Sequence, residues 1–132
     1  MGGRGAFFNK KDGLGRIVKK EWHTVANIRG IKVLEKNDPT QTPGLPFMSA
    51  GPGAIYAVFN SKEELGSIAF YDKDRKMVKR VDFDSSHGKL KPHTNITDEA
   101  KTIETREPTA EELEMGERLK KWKANTTKIL RL

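Results

Sequence analysis

Residues 54–83, AIYAVFNSKEELGSIAFYDKDRKMVKRVDF, hold three apolar runs separated by short polar breaks, and that spacing decides the fold. The runs AIYAVF (54–59), GSIAFY (66–71) and MVKRVDF (77–83) are rich in β-branched and aromatic residues, which suit a pleated, half-buried surface. The breaks NSKEEL and DKDRK have hairpin length and turn-forming residues, so the runs read as an antiparallel meander. Side chains alternate along a strand, so Met77, Val81 and Phe83 share a face with Lys79, while Val78, Arg80, Asp82 and Asp84 share the other. One face then meets the core and the other carries charge.

Upstream, Trp22, Thr24, Ala26 and Ile28 alternate with His23, Val25 and Asn27, and Gly30 interrupts before Ile31, Val33 and Glu35. This pattern predicts two extended segments hinged at Gly30. The stretch NDPTQTPGLPFMSAGPG (37–53) holds four of the six prolines and reads as a long loop, because proline cannot join a central ladder. Downstream of Asp84 regular structure fades until Thr109, where T-A-E-E after Pro108 matches a capping box. Leu113, Met115, Leu119 and Trp122 follow at helical spacing as a stripe that lies across the sheet. The expected fold is α+β, a small antiparallel sheet of about four or five strands with a C-terminal helix packed on one face. One domain is expected over 16–125, after a flexible glycine-rich arm at 1–15 and before a basic tail at 126–132.

At 132 residues the chain has room for one modest core. With no cysteine, a disulfide framework and a thiolate zinc site are excluded. No apolar run approaches the roughly 18 residues of a membrane span, and MGGRG lacks the apolar core of a secretory signal. A cytoplasmic protein with no membrane partner is expected. The net charge of +7 is zoned: residues 1–96 sum to +7, 97–117 to −6 and 118–132 to +6. Acidic-then-basic order suits a single C-terminal helix, whose macrodipole favours anions at its start and cations at its end. The remaining positive charge can attract nucleic acid through the summed field.

The stretch DSSHGKLKPHT (84–94) concentrates the residues able to do chemistry. His87 and His93 form a candidate general acid/base pair, because imidazole takes and gives a proton near neutrality. Tyr71 is a candidate additional proton donor, and Lys79, Arg80, Lys89 and Lys91 are candidates to bind nucleic-acid phosphate and stabilise its charge. Asp82, Asp84, His87 and His93 are also N/O donors able to hold a divalent ion, but their spacing matches no zinc signature and no metal is expected. No cofactor is expected either, since the GPG at 51–53 has no following GK[ST] and reads as a turn. His23 reads as a partner within the sheet. Ser85 and Ser86 lack a nucleophile elbow. Tyr56, Phe70 and Tyr71 could stack bases, although alternating strand aromatics more commonly pack a core.

The ordered pattern WHTVANIRGIKVLEKN, GPGAIYAVFN, LGSIAFYDKDRKMVKRVDFD and HGKLKPHT, closed by a short helix with a late Trp, resembles small prophage-encoded proteins of Gram-positive bacteria. The resemblance spans Glu21 to Trp122, and the MGGRGA start is similar to phage reading frames of the same neighbourhood. Such proteins occur near head-morphogenesis proteins of tailed phages, alongside toxin-like domains that include barnase-like nucleases. They tend to continue the second histidine as PHTH, whereas here Asn95 follows Pro92, His93 and Thr94, which removes one potential ligand or proton-transfer group. The resemblance implies a prophage protein, located in the host cytoplasm or on the virion. The residues add a nucleic-acid-directed effector, a metal-independent ribonuclease acting through His87 and His93. The alternative is a non-catalytic virion-associated or head-assembly module. RNA, DNA or a phage head protein are the expected partners.

Overall fold

The structure, a computed structural model, describes residues 9–11, 17–99 and 101–130. Strand β1 (Asn9–Lys11) pairs antiparallel with β2 (Ile17–Lys20) as a separate ribbon. The remainder of the expected arm, 1–8 and 12–15, lies outside the described residues. The main sheet has seven strands in sequential order: β3 (Trp22–Ile28), β4 (Ile31–Lys36), β5 (Ile55–Phe59), β6 (Leu65–Tyr71), β7 (Met77–Asp82), β8 (His93–Asp98) and β9 (Lys101–Arg106). Helix α1 (Ala110–Leu130) follows, running through most of the segment expected as a basic tail. Among the described residues no helix is long and apolar enough to cross a membrane.

The expectation of an antiparallel sheet of four or five strands is corrected on two counts. First, β4 and β5 run parallel, with Ile31 opposite Ile55 and Val33 opposite Ala57, so the sheet is mixed. A hairpin needs a tight turn, whereas the proline-rich connector 37–54 is long enough to carry the chain back to the start of a parallel neighbour. Second, β8 and β9 add a hairpin where regular structure was expected to fade. Their inward positions are Thr94, Asn95 and Thr97, all buried, so burial here is not written in apolar residues.

The β3–β4 hairpin turns through Arg29 and Gly30, at φ 50° and 90°. Two consecutive left-handed residues match the type I′ turn that follows the twist of paired strands. Asn27 Oδ1 accepts the Gly30 N–H at 2.9 Å and fixes the turn.

Both faces of the sheet are covered. On one, Leu119, Met115 and Trp122 of α1 pack on Ile31, Val33, Ala57, Leu65 and Ile68, with Phe59, Phe70 and Phe83 around them. Leu113, expected in the same stripe, is 40% exposed. Gly116 lets the helix approach, since a Cβ there would come within 2.6 Å of the Phe83 ring. On the other face Trp22, Leu34, Tyr56, Ala69, Tyr71 and Met77 pack beneath Leu45 and Ala54 of the connector. Polar anchors hold that connector down: Trp22 Nε1 donates to the Gly44 carbonyl at 2.9 Å, the Tyr71 hydroxyl to the Pro46 carbonyl at 2.5 Å, and the Ala50 N–H to the Tyr56 hydroxyl at 2.9 Å. The face assignment of Met77 is also corrected. A bulge pairs Tyr71 with Met77 after Phe70 with Lys79, which turns Met77 away from Val81 and onto the connector face.

The capping box is present. The Thr109 hydroxyl accepts the Glu112 N–H at 3.1 Å, and Glu112 Oε1 accepts the Thr109 N–H at 3.0 Å. Glu112 also takes Lys79 at 2.8 Å, Arg106 at 3.1 Å and the Thr94 hydroxyl at 2.8 Å, which ties the helix start to β7, β8 and β9.

Candidate functional site

Sheet register sets a polar row across the connector face. Val58 stands opposite Ser67, Ser67 opposite Asp82, and Asp82 opposite His93. The adjacent row is Tyr56, Ala69, Arg80, Asn95 and Thr105. Residues opposite one another point to the same side, so four strands converge on Asp82.

Asp82 is 6% exposed and both its oxygens are occupied. Oδ1 accepts the Ser67 hydroxyl at 2.7 Å and Arg80 Nε at 2.8 Å, while Oδ2 accepts Arg80 Nη2 at 3.0 Å and Asn95 Nδ2 at 2.8 Å. His93 Nε2 lies 3.3 Å from Oδ2. The Thr105 hydroxyl donates to Asn95 Oδ1 at 3.0 Å, which turns the Asn95 amide nitrogen toward the carboxylate. Asn95, the residue after Pro92, His93 and Thr94, thus faces the same carboxylate.

In the tautomer that places its proton on Nε2, toward Asp82 Oδ2 at 3.3 Å, His93 has its lone pair on Nδ1. That atom is buried without a hydrogen-bond partner, one of two such side-chain atoms among the described residues, the other being Thr24 Oγ1. The His87 ring neighbours the His93 ring, with centroids 5.9 Å apart and planes at 44°. His87 is held by a tight turn in which His87 and Leu90 exchange backbone hydrogen bonds of 2.9 and 3.0 Å around Gly88, at φ 61°. His93 is buried and His87 exposed, so the pair has an inner member locked by a carboxylate and an outer one open to solvent.

The other candidates divide. Lys89 and Lys91 are exposed on the His87 segment, and Arg80 lies in the Asp82 network. Lys79 is on the opposite face, bonded to Glu112 and 4.3 Å above the Phe70 ring. Tyr71 sits one row beyond Arg80, with its hydroxyl on Pro46; burial, then the neighbouring Tyr56, push its phenol well above the usual range against the pull of Arg80. Tyr56 and Tyr71 contact each other in the core, with centroids 5.0 Å apart, and Phe70 packs on the helix face. His23 bonds Asn37 at 2.6 Å on the outer strand β3. Among the described residues no three His, Asp or Glu side chains come together as a metal site.

Ser67 and Thr105 join the site without having been singled out in the sequence, and Asn95, marked there only as a lost histidine, joins it as a donor to Asp82. The alternation of Arg80 and Asp82 on one strand face is a readable signal for their pairing; Asn95 and Thr105 become visible only once β8 and β9 are paired.

A cavity of about 320 Å³ opens beside this network, between residues 43–47 of the connector and β5 to β9. A wider groove of about 790 Å³ lies at the other side of the sheet, where the late part of α1 faces Phe59, Leu65 and Phe83. Comparison with known proteins finds no matching family, no matching curated protein and no matching solved structure.

Proposed function

We propose that this chain cleaves RNA by acid–base catalysis, with His93 as base and His87 as acid. The unpartnered Nδ1 of His93 carries the reading. A buried nitrogen without a partner costs ~1–3 kcal/mol, and a role as proton acceptor beside a second histidine gives that cost a use. Asp82 orients the ring and stabilises the imidazolium that forms, as a carboxylate does behind a catalytic imidazole.

In the reaction, Nδ1 takes the proton of a ribose 2′-hydroxyl, whose oxygen attacks the adjacent phosphorus. The bond from phosphorus to the 5′-oxygen breaks as protonated His87 supplies that oxygen's proton. The products are a 2′,3′-cyclic phosphate and a free 5′-hydroxyl. Lys89 and Lys91 follow His87 in sequence and meet the negative charge that grows on the phosphate. DNA lacks the 2′-hydroxyl and is not cut by this route. A prophage origin, as the resemblance implies, suits a small nucleic-acid-directed effector.

The test is incubation of the chain with mixed RNA and with duplex DNA, with and without EDTA, beside His87→Ala and His93→Ala. RNA cleavage that survives EDTA and is lost in both variants is expected. Cleavage retained in both variants, or absent from the unmodified chain, overturns the reading. One observation favours the alternative of a virion-associated or head-assembly module that binds DNA or a phage protein. Edge strand β9 exposes Ile103 at 66%, a surface suited to a protein partner. Salt-sensitive binding of DNA or of a phage head protein without any product would put that module first.

A further inference from the structure

The cavity beside Asp82 shares that residue with the histidine pair and shares Asp84 and Ser85 with the start of the His87 segment. Its charged lining is one guanidinium, Arg80, and two carboxylates, Asp82 and Asp84. Asp82 already neutralises Arg80, so the cavity does not favour a phosphate. Its volume of about 320 Å³ falls at the small end of the ~300–1,000 Å³ typical of ligand pockets. Leu45, Val58 and Met77 give it apolar walls, and Phe47, 69% exposed, stands at its rim. Apolar walls, a free aromatic ring and a few polar groups describe the recognition of a neutral planar heterocycle, as when single-stranded RNA bases are stacked and read on their edges.

Two polar groups define which edge fits. Arg80 spends Nε and Nη2 on Asp82, which leaves Nη1 without a partner among the described residues. Asp84 accepts the Asn60 amide on Oδ2 at 3.0 Å, which leaves Oδ1 without a partner among them. Of the charged groups, the pocket therefore offers one fixed guanidinium donor and one carboxylate acceptor, with the rotatable hydroxyls of Ser85 and Thr102 able to follow either. Guanine presents the acceptor O6 beside two donors, N1–H and the N2 amino group, on one edge. Uracil offers a single donor between two acceptors, and adenine and cytosine place an amino donor beside a ring-nitrogen acceptor. Only guanine gives a carboxylate two adjacent donors while meeting Arg80 with a carbonyl.

Resting on the proposed RNA cleavage, we infer that this cavity is a guanine-binding subsite, with Arg80 Nη1 on O6, Asp84 on N1–H and N2–H, and Phe47 stacked on the ring, so that RNA is cut beside guanosines. Arg80 then reads a base, where the sequence suggests a phosphate contact.

The test is calorimetric titration of the full chain with the 3′-monophosphates of guanosine, inosine, adenosine, uridine and cytidine, beside digestion of an RNA of mixed sequence. Guanosine 3′-monophosphate is expected to bind at least tenfold more tightly than the adenosine, uridine and cytidine forms, with inosine, which lacks the N2 amino group, between. Asp84→Asn, at an exposed position and isosteric, abolishes that preference while uridine 3′-monophosphate binds as before. Phe47→Ala, at an equally open position, weakens all five. Equal binding of all five, or a preference that survives Asp84→Asn, overturns the subsite. Selective binding of guanosine 3′-monophosphate by a chain that cuts no RNA supports the subsite and overturns the catalytic reading. Cleavage at all four bases alike, lost in His93→Ala, does the reverse.

Discussion

The two faces of one sheet are built differently. Beneath α1 the packing is aliphatic and aromatic, with Leu119 and Ile68 almost wholly buried. Beneath the connector, tyrosines and a tryptophan are tethered by their polar ends, and beyond them Ser67, Arg80, Asp82, His93 and Asn95 form a polar patch inside the fold. An apolar face stabilises in proportion to the area it removes from water, whereas a buried polar network roughly breaks even and specifies geometry. Under the proposed cleavage, the contrast puts stability on one face and chemistry on the other. It breaks if substitutions on the two faces cost the same kind of quantity.

The largest expected effect belongs to the polar face. His93→Gln should lower RNA cleavage by ~10²–10⁴-fold, the range for loss of a positioned acid or base, while moving the urea midpoint little. On the helix face Leu119→Ala should destabilise by ~2–5 kcal/mol in chemical denaturation and leave cleavage per folded molecule unchanged. A His93→Gln protein that unfolds as readily as Leu119→Ala would make the polar row a structural element and remove the contrast.

Glu112 provides the intermediate effect. Burial raises its pKa, but the Arg106 and Lys79 hydrogen bonds, the Thr109 N–H and the Thr94 hydroxyl outweigh burial and hold it at about 2, against an ordinary value of 4.5. A folded-state pKa below the unfolded one adds stability that is complete above pH 4.5 and lost as pH falls toward 2. The difference corresponds to about 3 kcal/mol. Urea midpoints followed from pH 6 to 2 should therefore converge for the unmodified chain and Glu112→Gln, with the unmodified chain clearly more stable only at the upper end. Parallel curves would show that Glu112 is not the group responsible.

Legibility in the sequence follows the same division. Strands β5 to β7 could be read because apolar residues and polar breaks alternate over 54–83, and the helix start because Thr109 and Glu112 stand at capping-box spacing. Strands β8 and β9 could not, because HTNITD buries His93, Thr94, Asn95 and Thr97, and a buried polar side chain looks like a loop until its partner is known. The parallel pairing of β4 and β5 also escaped, since nothing local in residues 37–54 records where the chain returns. At the candidate site His87 and His93 were visible as neighbours in sequence. The opposition of Asp82 and His93, which gives His93 its orientation, depends on the unread strand β8.

The smallest effect tests how far the two faces are independent. Alanine is ordinarily favoured over glycine inside a helix by ~1 kcal/mol, so Gly116→Ala should stabilise α1 if helix propensity alone mattered. The added Cβ would meet the Phe83 ring at 2.6 Å, and displacing a packed ring costs ~1–3 kcal/mol. A net loss is expected in thermal unfolding, reversed when Phe83→Leu is added to Gly116→Ala. Phe83 is followed by Asp84, and its N–H is fixed to the Gly66 carbonyl at 2.8 Å, so the ring can shift while the backbone that carries Asp84 stays in place. Gly116→Ala should therefore leave cleavage and base preference unchanged. If it alters either, the helix face is coupled through Phe83 to the site on the far side of the sheet, and stability and chemistry are shared by one residue just after β7.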